Sequence, residues 1–63
     1  MKAYTSVAAQ DAQKAGLSES YCQYLDESAA EHQAYYLRQG NENMANQMLT
    51  RSLGEALRGN DGI

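Results

Sequence analysis

No proline, tryptophan or phenylalanine occurs in this sequence, and cysteine and histidine occur once each, at Cys22 and His32. Each shortage closes off a class of protein. A lone cysteine forms no internal disulfide, which excludes the disulfide-stapled miniproteins, and it fits a reducing, cytoplasmic setting. One cysteine and one histidine fall short of the roughly four ligands of a zinc centre. No metal, cofactor or small-molecule substrate is therefore expected. No run of about 18 apolar residues occurs, so no membrane-spanning helix is expected. Lys2 is followed by Ala3, Tyr4, Thr5 and Ser6, without the apolar stretch of a secretory signal. The missing Pro, Trp and Phe point to a compact helical module rather than a disordered tail.

What remains is short and acidic. A chain of 63 residues makes one domain at most. It buries only about 60% of the surface its unfolded form exposes. Small domains make up the shortfall with disulfides, a metal or association. With the first two gone, self-association or docking onto a partner is expected. Eight acidic side chains against five basic ones give a net charge of −3. That balance disfavours nonspecific attraction to nucleic acid or anionic lipid.

Caps and stops divide the chain into three helices, at about 7–15, 19–39 and 42–58. Ser6, Ser18 and Asn41 are good N-caps, since each side chain accepts a free N–H of the first turn. Gly16, Gly40 and Gly59 are good stops, entering the left-handed region without a Cβ clash. Glu19 and Glu42 favour the positive helix ends, and Arg38 and Arg58 the negative ones. The short Gly40-Asn41 link makes the second and third helices an αα-hairpin. The ends, 1–5 and 60–63, are expected to be flexible. The predicted fold is all-α, a three-helix unit that associates as a dimer.

The faces differ. Ala8, Ala12 and Ala15 make a narrow small-residue face on the first helix. Met44, Ala45, Met48, Leu49, Leu53, Ala56 and Leu57 make one broad stripe on the third, with the methionines as core filler. On the second helix, Tyr21, Tyr24, Leu25, Ala29, His32, Tyr35 and Tyr36 fall on one side, and Ala30, Ala34 and Leu37 nearly opposite. A helix apolar on two sides needs two neighbours, so Ala30, Ala34 and Leu37 are the expected self-association stripe. Tyrosine is enriched at interface anchors. Tyr24 and Tyr35 are the candidate anchors, with Tyr21 and Tyr36 assigned to the core beside Leu25 and His32. Asp26, Glu27 and Glu31 flank the tyrosines with no basic residue among them, and suit a basic partner surface. No nucleophile, acid partner or oxyanion hole accompanies His32, and no catalytic residue is expected. Cys22 reads as a small buried hydrophobe.

Ala12, Gly16, Leu17, Ser18, Cys22 and Leu25 also stand at helix-turn-helix spacings: a small residue for close crossing, a glycine turn, then inward apolar positions. Residues 10–25 resemble the helix-turn-helix of phage-type repressors, with Cys22 where that family prefers Val or Ile. The resemblance implies a dimeric DNA-binding regulator. Against it, no Lys or Arg occurs between Lys14 and Arg38, and phosphate neutralisation supplies much of DNA affinity. Direct DNA binding is therefore not expected. Very short acidic helical proteins are common among the products of phages and mobile elements, anti-CRISPR and other anti-defence proteins among them, a class to which size, charge and helicity point without any shared motif. The function expected is an inhibitor or adaptor that occludes a basic, nucleic-acid-binding protein. The helix-turn-helix regulator is the alternative.

Overall fold

The computed structural model describes residues 3–59, so the tail at 60–63 lies outside the described residues. Four α-helices follow in order: α1 at Val7–Lys14, α2 at Glu19–Arg38, α3 at Glu42–Thr50 and α4 at Leu53–Gly59. Ser6 Oγ accepts from the Ala9 N–H, Ser18 Oγ from that of Tyr21 and Asn41 Oδ1 from that of Met44. Each such cap contributes about 1 kcal/mol. Gly16 and Gly40 hold φ of 81° and 76°. Past each of them the chain turns back on the preceding helix by the same pair of bonds. The Gly16 N–H donates to the Gln13 carbonyl and that of Leu17 to Ala12; the Gly40 N–H donates to Leu37 and that of Asn41 to Tyr36. These 5→2 and 6→1 pairs are Schellman closures, and the left-handed residue in each favours glycine.

The expected third helix, 42–58, is two helices. Arg51 has extended backbone, φ −71° and ψ 146°, which breaks the hydrogen-bond ladder after Thr50. Two reciprocal bonds then start α4: the Ser52 N–H donates to Glu55 Oε1 at 2.9 Å, and Ser52 Oγ accepts from the Glu55 N–H at 3.3 Å. This is a capping box, Ser-x-x-Glu, lodged inside an unbroken apolar stripe. A third bond comes from far away in sequence: Asp11 Oδ2 on α1 accepts from the Leu53 N–H at 3.2 Å. Free N–H groups at a helix start attract a carboxylate, which fixes α4 to α1. α4 consequently crosses to α1 instead of continuing α3, while α2 and α3 pack as the expected hairpin. Leu57, expected in the buried stripe, is 54% exposed for that reason.

The core is built mostly of small side chains. Ala8, Ala9, Ala12, Cys22, Leu25, Ala29, Ala45 and Met48 are its buried apolar residues, and the largest fully buried side chains are Cys22 and Ser6. Alanine faces let α1 approach α2 closely but bury little area, so Leu25 and Met48 carry the bulk of the apolar gain. On α1 the buried face is Ala8, Ala9 and Ala12; Ala15, expected there, follows the last turn and is exposed. Tyr4, Tyr21 and Leu53 pack partly buried around the cluster. Tyr4 and Thr5 lie in the stretch expected to be flexible. In the structure Tyr4 rests on the core, and its carbonyl accepts from Gln10 Nε2 at 2.9 Å.

Candidate functional site

α2 spans 20 residues and buries only Cys22, Leu25 and Ala29. Most of its remaining length faces water. Tyr24, Glu27, Glu31 and Tyr35 follow one another at steps of three or four residues, so they form one row along the helix. All four are exposed, Tyr24 by 55% and Tyr35 by 47%. At 1.5 Å per residue the two tyrosines stand about 16 Å apart along the axis. Each is braced by a half-buried neighbour. The Tyr24 ring stacks on Tyr21, centroids 6.2 Å apart and planes at 26°. The Tyr35 ring meets Tyr36 edge-on, at 5.2 Å and 77°. A ring held this way has less rotamer freedom to lose when a partner covers it.

Between the rings lie two carboxylates. Gln23 Nε2 donates to Glu27 Oε2 at 3.3 Å, which leaves Glu27 on the surface, and Glu31 is exposed one turn further on. Asp26 does not join this row. It is half-buried, and its Oδ1 accepts from the Thr5 N–H at 3.0 Å and the Ser6 N–H at 2.7 Å. It holds the segment before α1 against α2. The structure thus brings together Tyr24, Glu27, Glu31 and Tyr35 and sets Asp26 to other work. Tyr21 and Tyr36, expected in the core, are half-buried beside it, while Tyr24 and Tyr35 are exposed. Ala30, Ala34 and Leu37 form a second exposed row on α2, Leu37 by 50%.

Few groups here are arranged for chemistry. Cys22 is 1% exposed, and its thiol faces the Leu17 carbonyl at 3.9 Å, so it packs as a small hydrophobe. His32 is half-buried, and its Nδ1 is enclosed without a hydrogen-bond partner among the described residues. No three His, Cys, Asp or Glu side chains gather to hold a metal among the described residues. Desolvation raises the Tyr4 pKa above its ordinary 10.0, with Cys22, Glu19 and Asp26 adding to the rise in that order.

In the α1–turn–α2 unit Ala12, Cys22 and Leu25 share one core cluster and Gly16 stands at the corner. Leu17, after the corner, is 43% exposed. The start of α2 presents Glu19, Ser20, Gln23 and Tyr24 to water, without a cation.

Beside the tyrosine row lies a groove of about 270 Å³, which the spacing of residues along α2 does not announce. Tyr21, Tyr24 and Leu25 of α2, Met48 of α3 and Leu57 of α4 line it, with Arg51 from the joint between α3 and α4. It lies between α2 and α4, where α4 turns away from the line of α3 after Arg51. The signal for that turn was Ser52-Leu53-Gly54-Glu55, legible as a capping box before the fold was known. Comparison with known protein families, with curated proteins and with solved structures finds no match.

Proposed function

We propose that this protein is an interaction module that blocks or bridges a basic, nucleic-acid-binding protein, docking through the outer face of α2. It carries out no reaction of its own. One observation carries the reading: two braced, exposed tyrosines with two exposed carboxylates between them on one row of a rigid helix. Anchors of this type fill pockets on a partner, and their truncation typically costs about 2 kcal/mol or more of binding. Carboxylates at the rim mainly speed encounter with a cationic surface. Occlusion of a nucleic-acid site suits a small acidic protein, as in the anti-defence products of phages and mobile elements.

The test is capture of partners by the intact protein and by a Tyr24→Ala/Tyr35→Ala variant of matching helicity. Capture of a basic protein that the variant fails to retain, and whose nucleic-acid binding the wild type inhibits, supports the proposal. Equal capture by both removes the tyrosine row from the function. Alanine at Glu27 and Glu31 is expected to slow association and flatten its salt dependence, leaving dissociation nearly unchanged.

A second reading keeps the closed α1–turn–α2 unit as a dimeric DNA-binding regulator. Its test is an unbiased duplex selection at physiological salt. With no cation at the start of α2, no selective duplex is expected. Recovery of one would make this second reading the function.

A further inference from the structure

The groove between α2 and α4 has the chemistry of a small ligand site; it shares Tyr24 with the tyrosine row but uses none of Glu27, Glu31 and Tyr35. Its walls are mainly aromatic and aliphatic, from Tyr21, Tyr24, Leu25, Met48 and Leu57, with the Ser28 hydroxyl beside them. Its one charged lining residue is Arg51, and no carboxylate lines it. The carboxylate nearest in sequence, Glu55, is engaged elsewhere, accepting from the Ser52 N–H at 2.9 Å. The Glu55 pKa is lowered first by that bond and by the Ser52 side chain; the charges of Arg58 and Arg51 come after. An arginine beside an apolar groove, with its local carboxylate already committed, is complementary to a carboxylate on an apolar body.

Size narrows the class. An apolar cavity of about 150 Å³ accepts a benzene ring, so 270 Å³ accommodates roughly a two-ring aromatic body. The stacked Tyr21 and Tyr24 rings, 6.2 Å apart, offer such a body an aromatic wall. We propose that the groove binds a small aromatic carboxylate, its rings against Tyr21, Tyr24 and Leu57 and its carboxylate on Arg51.

The probe is 2-naphthoate, titrated into the full chain and followed by amide and methyl chemical shifts. The neutral control is 2-naphthylmethanol, which keeps the rings and removes the charge. The expected result is saturable shifts centred on Tyr21, Tyr24, Met48 and Leu57, with naphthoate bound about tenfold more tightly than the alcohol, as one charged hydrogen-bonded pair supplies. Arg51→Gln is expected to erase that preference, and Arg51→Lys to restore part of it; circular dichroism checks that both fold. Equal binding of acid and alcohol by the wild type overturns the proposal. So does an unchanged preference in Arg51→Gln, a shift pattern centred elsewhere, or no saturable shift. A loss of partner capture in Tyr24→Ala/Tyr35→Ala leaves this result untouched, because that variant is not used here.

Discussion

Asp26→Ala leaves the N–H groups of Thr5 and Ser6 without their acceptor. Ser6 is fully buried, so water does not readily replace the lost bond. Hydrogen bonds to a charged group are worth about 1.5–3 kcal/mol. The expected loss is about 2 kcal/mol of stability by urea unfolding, a large share of the roughly 3–5 kcal/mol that so small a core supplies. Glu27→Ala, one residue on, is expected to change stability by less than about 0.5 kcal/mol. Comparable losses in the two variants would contradict the division of labour between these neighbours. Glu55 makes a different residue-level prediction. Its folded-state pKa lies below the ordinary 4.5, chiefly through its bond with the Ser52 backbone. A lowered folded value stabilises above the unfolded pKa and is lost as pH falls through the folded one. Hydrogen exchange at the Ser52 amide is therefore expected to quicken as pH drops below 4.5, after correction for intrinsic rates. Glu55→Gln keeps an acceptor oxygen and is expected to flatten that response.

At the scale of the helix, two glycines predict opposite signs. Gly40 has φ of 76°, where an L-residue is strained although nothing crowds its Cβ position. Gly40→Ala is expected to cost about 1 kcal/mol. Gly54 sits inside α4 at an ordinary φ, with open space beside it. Gly54→Ala is expected to gain about 0.5–1 kcal/mol, through helix propensity. Thermal unfolding of the two variants side by side checks both. These helices also show what was legible in the sequence. The caps at Ser6, Ser18 and Asn41 and the corners at Gly16 and Gly40 are local chemistry, and local chemistry can be read from neighbours in sequence. The break after Thr50 is marked only by the Ser52-x-x-Glu55 capping box, because the apolar stripe from Met44 to Leu57 keeps helical period across it. Periodicity reports which residues share a face and not whether the backbone is continuous. The bonds from Asp26 to Thr5 and from Asp11 to Leu53 join residues 21 and 42 positions apart, and no pattern along the chain announces them. Among the candidate residues, Tyr24, Glu27, Glu31 and Tyr35 share a row because α2 is long and regular. Asp26, two positions on from Tyr24, falls on another side of α2 by the same helical geometry and there meets the segment before α1.

For the whole molecule, the balance of surface and core governs behaviour. Leu17, Tyr24, Tyr35, Leu37 and Leu57 are each at least 43% exposed, while the largest fully buried side chains are Cys22 and Ser6. Covering Ala30, Ala34 and Leu37 with a second copy would bury apolar surface that the single chain leaves wet. If that stripe is the contact, unfolding temperature is expected to rise with protein concentration, and Ala34→Glu to abolish the rise with little loss of helicity. Sedimentation showing monomer at high concentration would assign the stripe to solvent. The extended joint at Arg51 has one more consequence, which concerns survival against proteases. Trypsin-like enzymes cut after basic residues and need the chain extended, and here both conditions meet between two helices. A cut there would sever α4, which the Leu53–Asp11 bond ties back to α1. When reclosing outpaces cutting, the cleavage rate measures how often that tie is open. Asp11→Asn is expected to hasten scission after Arg51, read by mass spectrometry, so a carboxylate in the first helix shields a cleavage site forty residues further along the chain.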